Sequence, residues 1–148
     1  MLATIVAILG TLLGAIVTGT IQHISQRATR RSDAAAARTA EGLTALTDLV
    51  TALSDHRRAM WVREDLRLRG EDWTDARTES HRTRSAITAP LLRVQLLLPA
   101  LAPAARQAAE TTYTLRGAIA SDVLATARDN AIRSTDELIA AAGRALAA

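Results

Sequence analysis

The sequence predicts an all-α protein: an N-terminal transmembrane helix followed by a small antiparallel helical bundle. Three observations carry this. No ionisable side chain occurs between Leu2 and Gln22. Beyond residue 40, apolar residues recur at spacings of three and four, the period of a helix face. Only 7 Gly and 3 Pro interrupt 148 residues rich in Ala and Leu, which favours long helices over strands. That length allows one domain plus an anchor and leaves no room for two cores. The expected organisation is a transmembrane anchor at 1–22, a basic juxtamembrane segment at 23–40 and a cytoplasmic helical bundle at 41–148.

The run LATIVAILGTLLGAIVTGTI is long enough to cross the roughly 30 Å of bilayer hydrocarbon at about 1.5 Å per residue. A buried helix of a soluble protein is rarely apolar all round and then followed at once by an Arg cluster. A cleaved signal peptide needs a charged leading region and a small-x-small site, and neither is clear here. The net charge of +3 lies wholly in residues 23–40, where Arg27, Arg30, Arg31 and Arg38 face Asp33, while every later segment balances. Basic residues beside a span stay cytoplasmic, so the N-terminus is expected outside and the C-terminal domain inside a bacterial cell membrane, crossed once. Arg27, Arg30 and Arg31 are then placed for headgroup contact with membrane lipid, at about 1 kcal/mol each. Gly10 and Gly14 form a GxxxG, extended by Ala3, Ala7 and Thr18 into a stripe of small residues that fits self-association into a homo-oligomer. A lone GxxxG is a weak motif.

Leu43, Leu46, Val50, Leu53 and Met60 mark the seam of the first bundle helix, with Arg57 in the slot between the last two. Gly70 is the expected stop, Asp72 the N-cap of the second helix, and Asp75 a favourable charge in its first turn. The second seam is Trp73, Ala76, Ser80, Thr83, Ile87, Val94 and Leu97, with a kink or break expected at Thr88-Ala89-Pro90. Pro99 and Pro103 bracket a short connection, after which Leu101, Ala105, Ala108, Thr112, Leu115 and Ile119 form the third seam, Pro103 suiting its first turn. Ser121 or Asp122 caps a fourth helix with Leu124, Ala127, Ala131, Leu138, Ala142 and Leu146 on its apolar face. Four stripes of this kind imply a bundle. Residues 86–105, apolar apart from Arg93 and Gln95, also raise a second membrane element. An Arg near the midplane costs about 2.5 to 3.5 kcal/mol, and Pro90 and Pro99 interrupt the run, so a bundle helix is the better reading.

Zero Cys excludes disulfides, thiolate catalysis and zinc-thiolate sites. Polar residues crowd one stretch of the first hairpin: Asp55 to Arg58 and Arg63 to Asp65 on one helix, Glu79 to Arg84 on the other. A turn at Gly70 sets residue 60 across from about 81 and residue 57 across from about 84. His56, Arg57, Glu79, His81 and Arg84 are therefore a candidate polar recess. No HExxH or ExxH spacing is present, so no metal, cofactor or catalytic residue is assigned. The plain reading is a hairpin laced by Arg-to-carboxylate pairs; another makes Arg57, Arg58, Arg82 and Arg84 a recess for an anionic ligand or an acidic partner. Nucleic acid is not an expected partner, because residues 41–148 are charge-neutral and lack a basic face interleaved with aromatics.

At SDHRRAMW (54–61) and ESHRTRSAITAPL (79–91), and in its opening MLATIVAILGTLLGAIVTG, the sequence resembles the KilB-like short membrane proteins of actinobacteria. The resemblance runs over residues 1 to about 100, with the last third similar only in helical character. It implies a membrane protein of the Streptomyces plasmid-spread type, active in spreading a transferred plasmid between hyphal compartments and harmful when unregulated. It carries no catalytic residue over. The leading expectation is a non-enzymatic, membrane-anchored interaction protein in plasmid spread or envelope-associated machinery, with an unknown protein partner. The alternatives are a membrane-bound enzyme or ligand sensor using the polar hairpin, which requires both His to meet in one pocket, and a holin-type membrane-disrupting protein.

Overall fold

The structure, a computed structural model, describes the backbone of residues 2–147 and the side chains from Arg30 onward except Leu146. The side chains of the expected span at 2–22, including Gly10 and Gly14, and of Arg27 lie outside the described residues. Five elements follow one another: α1 (Leu2–Arg69), α2 (Thr74–Leu97), a 3-10 turn (Pro99–Leu101), α3 (Ala102–Tyr113) and α4 (Ser121–Ala147), with no strand among the described residues. The chain forms two compact units, residues 1–38 and 39–148. Arg30 and Arg31 are exposed in the first. The second is the bundle.

Its core is aliphatic because the chain has no Phe and few other aromatics. Leu49 and Leu53 of α1, Ile87 and Val94 of α2, Ala105 and Ala108 of α3 and Leu138 of α4 bury their side chains in one cluster. Burying each Val, Leu or Ile stabilises by about 1.5 to 3 kcal/mol. The alanines of α3 keep that helix narrow, as its seam predicts. A second cluster at the hairpin end joins Met60, Leu115, Ala118, Leu124 and Ala131.

The α1–α2 turn is a Schellman motif. Gly70 takes φ +69°, its N–H donates to Arg67 O at 3.2 Å, and the Glu71 N–H donates to Leu66 O at 3.0 Å. Helix α2 then starts at Thr74 with Trp73 in the capping position, one residue after the expected cap. Asp72 still serves the helix end: its Oδ1 accepts from the Thr74 N–H at 3.0 Å and the Thr74 hydroxyl at 2.8 Å, which lowers its pKa. At the other end, a Cβ on Gly42 would lie 2.8 Å from Leu98 Cδ2, so this glycine admits the corner after α2 against α1.

Five expectations are corrected. The slot between Leu53 and Met60 belongs to His56, 2% exposed, rather than to Arg57, because His56 finds a partner on α2 that a guanidinium stem one position on does not meet. Leu43 is 38% exposed, and Leu49 rather than Val50 fills the centre of the core. Helix α2 passes through Pro90 unbroken, the orphaned carbonyl falling on exposed Ala86 where water can serve it. The chain turns at Leu98, at the connection expected from Pro99 and Pro103. Ile119 is 86% exposed, because α3 ends at Tyr113 and Gly117 at φ +80° breaks the period.

Among the residues whose side chains are described, from Arg30 onward, no single helix is long and apolar enough to cross a membrane. Helices α2 and α3 pass that test only as a pair bent by 120°, and their apolar residues Ile87, Val94, Leu101, Ala105 and Ala108 are in the bundle core. Arg93, inside the same run, reaches out to Asp48 at 3.1 Å.

Candidate functional site

The α1–α2 hairpin brings polar residues together midway along the bundle, where the apolar seams of the two helices give way. Its centre is His56. Nδ1 of the ring lies 2.9 Å from the Thr83 hydroxyl, and that hydroxyl also lies within hydrogen-bond reach of the Glu79 and Ser80 carbonyls, at 3.0 and 3.2 Å. The edge of the ring meets Tyr113 of α3, with centroids 5.8 Å apart. Burial, followed by the Arg84 and Arg63 charges, lowers the His56 pKa from 6.5 to about 4, so the ring is neutral at physiological pH.

Two turns further along α1, Arg63 is 8% exposed. Nη1 has only long contacts, to Ser80 Oγ at 3.5 Å and Met60 Sδ at 3.9 Å, and Nε has no hydrogen-bond partner. The Glu64 carboxylate stands 3.6 Å from that Nε, but its closer bond is to Arg67 Nε at 2.7 Å. Burial is the chief reason that the Arg63 pKa is lowered, with Glu64 opposing. Arg67 also donates to the Ala118 carbonyl, tying the end of the hairpin to the α3–α4 connection. Each aromatic ring carries a guanidinium: Arg63 and Arg77 over Trp73, Arg84 over Tyr113 at 3.7 Å, and Arg128 over Trp61.

These residues enclose a cavity of about 130 Å³ lined by His56, Met60, Arg63, Ser80, His81, Arg84, Tyr113 and Arg116. Three residues of the expected recess, His56, His81 and Arg84, therefore meet. The other two do not. Arg57 lines a separate concavity with Ser54, Arg58, Trp61 and Arg128, and Glu79 lines a third with Asp55, Arg58 and Arg82. The reason is helical geometry: Arg57 and His56 point about 100° apart around α1. Glu79 is occupied by Arg82, through bonds of 2.6 and 2.8 Å that lower its pKa. Tyr113 and Arg116 escaped the sequence reading, since they come from the end of α3 and its following turn, far along the chain. The only signal was their position beside the seam residues Thr112 and Leu115.

Among the described residues no group of three His, Asp or Glu side chains converges as a metal-binding set would. The cavity lining holds guanidinium, imidazole and hydroxyl groups and no carboxylate. Chemically it offers many hydrogen-bond donors and positive charge. It offers no obvious general base for hydrolysis beyond the imidazoles.

Residues 43–146 match the family KilB, the KilB plasmid transfer protein. Protein KilB of Streptomyces lividans is 51% identical over 150 residues, covering 97% of this chain and 97% of its own length. No solved structure matches. The family match reaches through α4, further than the resemblance over residues 1 to about 100, so the last third shares more than helical character with its relatives. On both grounds, the chain belongs to the KilB plasmid transfer protein family.

Proposed function

We propose that this chain is a membrane-anchored interaction protein that works in plasmid spread without catalysing a reaction. One observation supports it above the others: in a member of a plasmid transfer family, 20 uncharged, mostly apolar residues directly precede the segment holding the whole net positive charge. That arrangement fits a single span with the bundle on the cytoplasmic side, where Arg27, Arg30 and Arg31 meet anionic headgroups. The small-residue stripe through Gly10 and Gly14 fits pairing of spans, which would display two or more bundles together to a protein partner.

Single Cys substitutions at Gly10, Leu12 and Gly14 in native membranes test the assembly, with no other Cys to confuse the result. Disulfide-linked dimers through Gly10→Cys and Gly14→Cys but not Leu12→Cys are expected. Equal crosslinking at all three, or at none, would reject pairing through this face. Removing residues 40–148 separates the reading from a holin-type action: the truncated chain should lose plasmid spread and cause no loss of membrane potential on overexpression.

A second reading, a ligand sensor, is favoured by one specific observation. His56 and His81 line the same cavity.

A further inference from the structure

We propose that the recess floored by His56, Arg63 and Ser80 and rimmed by His81, Arg84 and Arg116 binds a doubly charged phosphate group, as free phosphate or as the head of a phosphate monoester. It deepens the ligand-sensor reading and is independent of membrane anchoring.

Three facts carry the proposal. First, a guanidinium has five N–H donors, and a buried one left without acceptors is costly. Arg63 is buried, its Nε has no hydrogen-bond partner although Glu64 stands 3.6 Å away, and its two hydrogen bonds are at the limit of length. An oxyanion in the cavity would supply the missing acceptors.

Second, the charges do not balance locally. Glu64 is shared between Arg63 and Arg67, while Arg84 and Arg116 have no carboxylate within ion-pair distance among the described residues. On the same hairpin Arg82, Arg69 and Arg93 are matched by Glu79, Asp65 and Asp48, whereas Arg57, Arg58 and Arg77 have no ion pair among the described residues either. What sets this cavity apart is that its unmatched arginines gather around a buried guanidinium, that of Arg63. A phosphate monoester brings about −1.5 to −2 charges near neutral pH, against one for a carboxylate.

Third, the donors come from three directions: Arg63 from α1, Ser80 and Arg84 from α2, and Arg116 from the turn after α3. That arrangement suits a tetrahedral group better than a planar carboxylate, which a single guanidinium fork already satisfies. The cavity, about 130 Å³, exceeds the roughly 30 Å³ share of one water several-fold, so it has room for one phosphate group.

The test uses the full chain in maltoside micelles at neutral pH, following the His56 and His81 imidazole signals by NMR as inorganic phosphate replaces chloride at constant ionic strength. Saturable shifts of both imidazoles are expected below about 10 mM phosphate. Arg84→Gln and Arg116→Gln should each weaken the response about ten- to hundredfold, since each removes charge-assisted bonds from an exposed rim position. Thermal midpoints in chloride should stay near wild type for both variants, which separates lost binding from lost folding. Phosphate that causes no saturable shift, acetate that causes the same shift, or full response in both variants would overturn the proposal. Nanodiscs with and without phosphatidic acid assign the source: shifts at phosphatidic acid far below the free-phosphate midpoint identify a lipid head, and equal midpoints identify a soluble anion. Membrane attachment is measured separately, so failure here leaves the anchoring proposal standing.

Discussion

His56 shows how a single polar residue sets the register of the hairpin. Its ring has one direct polar partner, Thr83, on the facing helix. Thr83→Val should therefore destabilise the bundle by about 1 to 3 kcal/mol in chemical denaturation, with Thr83→Ser close to wild type. The same ring gives a pH dependence whose sign is fixed. Its folded pKa of about 4 lies below the unfolded 6.5, so the folded state binds fewer protons. Its contribution is fully present above pH 6.5 and is lost as pH falls through about 4. Unfolding curves between those limits should show a loss of up to about 3 kcal/mol that His56→Leu removes. Glu64 is 1% exposed and holds Arg67 against it, so Glu64→Gln leaves buried guanidinium charge uncompensated. A cost of about 3 kcal/mol is expected by the same measurement. Glu79→Gln, which breaks only an exposed pair with Arg82, should change stability little. The sequence displayed these polar residues but could not choose between His56 and Arg57. Both satisfy a three-or-four step from Leu53 and to Met60, and only the partner helix breaks the tie.

At the scale of elements, most of each seam was readable because aliphatic spacing dominates an Ala- and Leu-rich chain. Ser80, Thr83, Ile87 and Val94 are buried along α2, and Leu124, Ala131, Leu138 and Ala142 along α4, as their spacing predicts. The hairpin stop was readable from one residue. Gly70 adopts the left-handed region and a Cβ there meets nothing within 4 Å, so its replacement costs backbone strain alone. Gly70→Ala should lower stability by about 1 to 2 kcal/mol, with Gly70→Asn intermediate, as measured by thermal unfolding. The α3–α4 connection was less legible. Leu115 and Ala118 are buried while Ile119 between the helices is exposed, because the chain leaves helical period after Tyr113 and only Gly117 announces it. The connection after α2 was readable from Pro99 and Pro103, whereas the bend expected at Pro90 does not form. A proline on a solvent-facing strip of helix removes one bond that water replaces, whereas Pro99 begins a new turn.

For the whole molecule, family membership and the distribution of charge point the same way. A bundle of neutral net charge follows a basic segment, which in turn follows an uncharged stretch. The recess could not be read as a unit from the sequence, because Arg63, Arg84 and Arg116 lie on separate elements and share no motif. The family match supplies a process, plasmid transfer, and the proposed anchor would hold the bundle at a membrane for it. Replacing residues 2–22 with an unrelated single span that lacks small residues should keep the chain at the membrane but reduce plasmid spread, if spans must pair. The most direct measurement of the central claim is labelling of single Cys residues at Ala3 and Ser32 by a membrane-impermeant maleimide in cells whose wall is removed but whose membrane is intact. The account predicts that Ala3→Cys is labelled at once and Ser32→Cys only after lysis. Labelling of both in intact cells, of neither, or release of the chain from membranes by a carbonate wash would contradict a single span with its bundle inside.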